Sequence, residues 1–228
     1  MSTIGNHLES GHLLPLPQLS DAEWAARDAR LAAAESERVA DDERKRIDEL
    51  RRGLVERGCP VKDLERATSG ELDETKAVAI ARQSLVDGDT LLVLSGSRGC
   101  GKTTAAAWWL LQRRAPARYV STRPPQFVDA AALTRWPRYD DGRMRELELA
   151  AALVVDDLGM EYDDKHGAFR SFVDGLVNAR YAKELPTVIT TNLPAADFKA
   201  RYGERIADRI REAGRFVELA GESLRRRA

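Results

Sequence analysis

The run Gly96-Ser97-Arg98-Gly99-Cys100-Gly101-Lys102-Thr103 has the spacing G-x-x-x-x-G-K-S/T, in which each residue type has separate work to do. Glycines let backbone N–H groups converge on phosphate oxygens, a lysine places a cation between two phosphates, and a threonine hydroxyl suits Mg2+. Thr104 opens a helical stretch to Arg113, whose N-terminal dipole favours an anion. The spacing therefore predicts a site for ATP and Mg2+ built from Gly96 through Thr104, with Thr103 on the metal. Cys100 is expected to be a small filler of a variable loop position, not a redox thiol.

Two further groups have the right chemistry for the same place. The apolar run Ala151–Val155 ends in Asp156-Asp157-Leu158-Gly159. Asp156 is expected to hold Mg2+, directly or through water, and Asp157 to orient or deprotonate an attacking water. The alternative for Asp157 is a cap on the next turn. The run Pro186–Thr190 leads into Thr191-Asn192-Leu193-Pro194. If it lies beside the acidic strand, Asn192 reaches the γ-phosphate or the lytic water; otherwise it starts a turn. Arg201, Arg205 and Arg209 recur at i, i+4 beside Ile206 and Ile210. An arginine there can serve a neighbouring subunit's γ-phosphate, but spacing alone favours pairing with Glu204, Asp208 and Glu212.

Elements must place these residues at one edge. Short apolar runs alternate with helical stretches, giving expected strands at Thr90–Leu94, Arg118–Ser121, Ala151–Val155, Pro186–Thr190 and Arg215–Leu219. That alternation predicts an α/β fold with a mostly parallel sheet, and ligands beyond the carboxyl ends of its strands. Ahead of it, Ser20-Asp21-Ala22-Glu23 is a capping-box pattern opening one long charged helix that stops at Gly58 and Pro60. Of its apolar residues only Ile47, Leu50 and Leu54 keep i, i+3, i+7 spacing, so most of it has little to bury. The expected organisation is a flexible lead over 1–19, a helical partner-binding arm over 20–57 and an ATPase domain over 58–228. Lys and Arg total 36 against 37 Asp and Glu, so no global field draws the molecule to nucleic acid. Cys59 and Cys100 lie far apart and form no disulfide or zinc framework, which fits a reduced cytoplasmic protein. No apolar run approaches the roughly 20 residues of a membrane span, and no export signal is read at the start.

Gly58-Cys59-Pro60, the phosphate loop, Val154–Gly159, Thr191-Asn192-Leu193 and Tyr202-Gly203-Glu204-Arg205-Ile206-Ala207-Asp208-Arg209 together resemble the DnaC/IstB-like AAA+ ATPases, over about residues 55–228. This family includes replicative-helicase loaders and transposition helper ATPases. The resemblance implies an AAA+ core of five parallel strands. It also implies Asn192 at the sensor-1 position, Arg209 as the arginine finger and Arg225 near the sensor-2 position, where Arg226 or Arg227 fits almost as well. A finger acting in trans implies an ATP-dependent homo-oligomer. Two departures stand out. The cysteine-rich zinc module of many loaders is missing, and the acidic pair is Asp-Asp where Asp-Glu is common, which fits slow hydrolysis.

Six Arg and one Asp lie between Arg113 and Arg138, with Phe127, Trp136 and Tyr139 interleaved or adjacent. Single-stranded DNA favours such surfaces, although arginines ending a helix and biased coding account for part of the run. The stretch 197–228, with nine basic and six acidic residues, supports DNA contact weakly. The expected function is ATP-switched loading or regulation of a replicative DNA helicase on single-stranded DNA. A transposition helper recruiting a transposase is the alternative. A small-molecule kinase is disfavoured by Asn192 and the Gly203–Arg209 helix, and a non-hydrolysing scaffold turns on Asp157.

Overall fold

The computed structural model describes residues 20–69, 75–113, 123–135, 141–160 and 167–220. The chain divides into two compact units between Arg46 and Ile47.

Helix α1 runs Asp21–Glu56. Ser20 and Glu23 close a reciprocal box at its start: the Ser20 N–H donates to Glu23 Oε2 at 2.8 Å, and the Glu23 N–H to Ser20 Oγ at 3.4 Å. Within the first unit the described helix carries i, i+3 pairs, Glu35 with Arg38, Asp41 with Arg44 and Glu43 with Arg46. Such pairs give a few tenths of a kcal/mol each, so charge, not burial, supports this segment. Trp24, Leu31 and Val39 are exposed on it.

In the second unit the end of α1 does bury apolar surface. Leu54 is fully buried, and Ile47 and Leu50 pack against the same cluster. Gly58, at φ 93, ends the helix in a Schellman turn: its N–H bonds Val55 O, the Cys59 N–H bonds Leu54 O, and Leu54 and Cys59 bury together. Pro60 then caps α2 (Val61–Thr68), and Thr75 caps α3 (Lys76–Asp87).

The sheet consists of β1 (Leu91–Gly96), β2 (Gln126–Asp129), β3 (Leu153–Leu158), β4 (Thr187–Thr191) and β5 (Gly214–Leu219). All its pairs are parallel, in the order β2-β3-β4-β1-β5. The second strand differs from expectation. The stretch 118–121 lies outside the described residues, and β2 forms downstream, after Pro124 and Pro125, ending at Asp129, which caps the short α5 (Ala130–Leu133).

Side chains alternate between two cores. Leu92, Leu94, Val154 and Val188 meet one cluster, which includes Trp109 and the root of α1. Leu91, Val93, Val155 and Ile189 meet the other, with residues of α7 (Ala168–Tyr181), α8 (Ala195–Tyr202) and α9 (Glu204–Ala213). Both sheet faces are covered, as the continuous apolar runs require. Helix α4 (Lys102–Gln112) follows β1, and α6 (Asp141–Leu149) precedes β3. Because β1, β4 and β3 are neighbours and all parallel, the chain after each of the three strands emerges at the same edge.

Candidate nucleotide site

The phosphate loop joins β1 to α4 through residues that only glycine takes without strain: Gly99 at φ 86 and Gly101 at φ 89, the latter at the cap of α4. Lys102 starts the helix and is 5% exposed. Its ammonium donates to Gly96 O at 2.8 Å, Ser97 O at 3.0 Å and Asn192 Oδ1 at 3.0 Å, and lies 3.8 Å from Cys100 Sγ. Three strong acceptors match its three protons.

Thr103 Oγ1 lies 3.2 Å from both carboxylate oxygens of Asp156. Asp156 is 5% exposed, and Thr190 Oγ1 donates to its Oδ1 at 2.6 Å. Burial pushes the Asp156 carboxyl up to about 6; the Thr190 hydrogen bond works against this, and the Asp157 charge adds to it. Asp157 is half-buried at φ 54, with its N–H donating to Thr190 Oγ1 at 2.9 Å. One turn into α4, Thr104 Oγ1 donates to Asp63 Oδ1 of α2 at 2.5 Å.

The structure thus brings Gly96, Ser97, Cys100, Lys102, Thr103, Asp156 and Asn192 together, with Gly99, Gly101, Thr104 and Asp157 beside them. Arg98 is exposed, its guanidinium 3.9 Å from the Met160 sulfur. Arg209 lies elsewhere, on α9. Its guanidinium reaches Asp174 at 3.4 Å, hydrogen-bonds Asn178 and sits over the Tyr181 ring at 5.5 Å, all on α7. The side chain is only 11% exposed, against 63% for Arg205, which also pairs with Asp174. The expected pairing of Arg205 and Arg209 with Glu204, Asp208 and Glu212 is therefore not what forms. Arg211 takes Glu204 and Asp208, while Arg205 and Arg209 cross to α7. Arg225 lies outside the described residues, as do Arg114, Arg118 and Arg138 of the Arg113–Arg138 run. Within that run Arg113 is occupied, lying over the Trp109 ring and bonding Asp89 O.

Sequence reasoning missed Thr190 and Asp63. A threonine inside an apolar strand and an acid in the first turn of a short helix have ordinary readings, so only strand register and helix packing expose their contacts.

These residues fit the group that the loop spacing implied. A glycine-rich turn, a buried ammonium and the start of an eleven-residue helix suit phosphate. A hydroxyl and a carboxylate 3.2 Å apart supply the few protein oxygens that Mg2+ takes beside phosphates and water. A family model described as IstB-like ATP binding protein matches residues 17–228. The chain belongs to the IstB-like ATP-binding proteins. No curated protein matches it. Among solved structures, DnaI has a TM-score of 0.51 with this IstB-like chain at 21% identity, covering 72% of this chain and 93% of that one. The replication initiator DnaA bound to AMPPCP and single-stranded DNA gives 0.52 at 18% identity, covering 72% and 52%. The DnaC helicase loader gives 0.49 at 24% identity, covering 64% and 89%. At these identities the likeness is one of fold, and the family assignment rests on the sequence.

Proposed function

We propose that this IstB-like chain binds and hydrolyses MgATP and uses the cycle to load or regulate a replicative DNA helicase on single-stranded DNA. The observation that carries the ATPase part is the convergence of Lys102, Thr103, Asp156 and Asn192 at one sheet edge. Lys102 exchanges Gly96 O and Ser97 O for phosphate oxygens, and Thr103 and Asp156 are the residues that would hold Mg2+. The metal, when bound, neutralises charge developing on the transferred phosphoryl group. Asn192, bonded to the same ammonium, responds when the lysine changes partners. Asp157 orients or activates water, and Asp in place of a longer Glu suits slow turnover. Arg209 acts in trans in an ATP-dependent homo-oligomer, which requires its release from Asp174 and Asn178; Arg225 contacts the nucleotide from the carboxyl-terminal stretch.

The loader reading is supported by the family resemblance and by α1, whose exposed Trp24, Leu31 and Val39 have the chemistry of a partner-binding arm. A transposition helper is the second reading, favoured by the IstB-like description of the matching family. ATP hydrolysis with and without single-stranded DNA and the host's replicative helicase, together with co-migration on a sizing column, separates them. Co-migration with the helicase in ATP, with altered turnover, supports the loader. Indifference to the helicase with ATP-dependent assembly on duplex DNA replaces it with the helper. Lack of MgATP binding rejects both.

A further inference from the structure

The register of the sheet breaks beside the acidic pair. β3 and β4 align Val155 with Ile189 and Leu158 with Thr191, so Asp156 and Asp157 together face the single residue Thr190. The extra residue is a bulge, and Asp157 carries its backbone cost at φ 54, a region that non-glycine residues occupy only when their surroundings enforce it. A bulge also removes an N–H from the ladder. Here that N–H, from Asp157, donates to Thr190 Oγ1 at 2.9 Å, and the single hydroxyl proton of Thr190 goes to Asp156 Oδ1 at 2.6 Å. Thr190 is fully buried, so water does not stand in for its hydroxyl.

One oxygen therefore governs both acids. By accepting from the Asp157 backbone it holds the bulge that gives Asp157 its own direction out of the strand. By donating to Asp156 it fixes which carboxylate oxygen is engaged and how the group faces Thr103, 3.2 Å away. Without the bulge, successive residues of β3 would alternate strictly between sheet faces. With it, two adjacent carboxylates serve one edge.

We infer that Thr190 is a positioning residue for the hydrolytic site, setting Asp156 for Mg2+ and Asp157 for the attacking water. The inference rests on the ATPase reading above. It is tested with Thr190→Val, which keeps the branched shape and removes the hydroxyl, and Thr190→Ser, which keeps the hydroxyl. ATP affinity is measured in Mg2+ and in EDTA, and turnover against Mg2+ concentration. The expected result is unchanged affinity in EDTA, a Mg2+ requirement raised about tenfold in the valine variant, as loss of a metal ligand's hydrogen-bond partner commonly produces, a lower kcat, and recovery of both in the serine variant. A valine variant with the wild-type Mg2+ requirement overturns the inference. So does equal weakening of binding with and without Mg2+, which marks Thr190 as structural only. Should the valine variant fail to fold, the serine variant decides: a Mg2+ requirement far from wild type overturns the inference, because the hydroxyl is then not what matters. A wild-type protein that binds MgATP without turning it over defeats the hydrolysis reading instead, and the Mg2+ dependence of binding still decides Thr190's hold on Asp156.

Discussion

Asp156 should make the protein less stable than it would be without the charge. Its carboxyl is pushed from 3.8 up to about 6, chiefly by burial. The protonated form is thus the one favoured by folding. This contribution is fully present below about pH 4 and is lost as pH rises through about 6, above which the ionised group is a net cost to the fold. At about 1.4 kcal/mol per pKa unit the cost reaches a ceiling of about 3 kcal/mol. Asp156→Asn removes the charge at nearly constant shape but turns an acceptor partly into a donor toward Thr190 and Thr103, giving back about 1 kcal/mol. A net gain of about 2 kcal/mol corresponds to a Tm roughly 4–8 °C higher for a domain of this size. The assay is thermal unfolding in EDTA from pH 4.5 to 8, with wild type and variant side by side. The two curves should meet at the acid end, separate between about pH 4.5 and 6 and stay apart by a constant amount above that, the variant being the more stable. In Mg2+ and ATP the order should reverse, because only the wild type gains from the metal. Parallel curves across the pH range, or a variant less stable at pH 8, would refute the reasoning.

Lys102→Ala should abolish tight ATP binding in a nucleotide titration while leaving Tm within a few degrees of wild type. Arg209→Ala should retain ATP binding and lose partner- or DNA-stimulated hydrolysis; if stimulation survives, Arg205, the more exposed arginine of the pair on Asp174, is the next to test. Arg180→Met should cost about 3 kcal/mol or more in denaturant unfolding, since the buried guanidinium donates to Leu147 O, Ala150 O, Pro186 O and Thr187 Oγ1, and of these Pro186 O alone keeps a second donor, the Leu153 N–H. Leu54→Ala should cost about 2–5 kcal/mol by opening a cavity. Trp24→Ala with Leu31→Ala should leave Tm unchanged and abolish helicase co-migration, because those side chains are exposed.

The glycine-rich turn ahead of a helix was legible because its residues are contiguous and in fixed order, and the place of Asp156 beside it because Asp156 follows a buried apolar run. Asn192 depended on which strands are neighbours, and the pairing of β3 with β4 and of β4 with β1 supplies that condition. The strand Gln126–Asp129 was not foreseen because it offers only four residues next to two prolines, a pattern that sequence reads as a loop. The partners of Arg205 and Arg209 were misjudged because i, i+4 spacing ranks neighbours within a helix and says nothing of Asp174 and Asn178 on another. Thr190 was hidden for a related reason: its role follows from a bulge, and a bulge is a relation between two strands, not a property of either.

The occupied ammonium of Lys102 has a kinetic consequence. With Gly96 O, Ser97 O and Asn192 Oδ1 already taking its three protons, the lysine keeps its charge but offers no free N–H to whatever anion drifts past. A lone sulfate or phosphate must displace bonds that are already good, for little return. A triphosphate can spread that exchange over the glycine turn, the helix start and the metal, peeling the lysine away one contact at a time. Nucleotide entry should therefore be slower than free encounter and nearly indifferent to ordinary buffer anions, so the same three bonds act as a latch against premature occupancy.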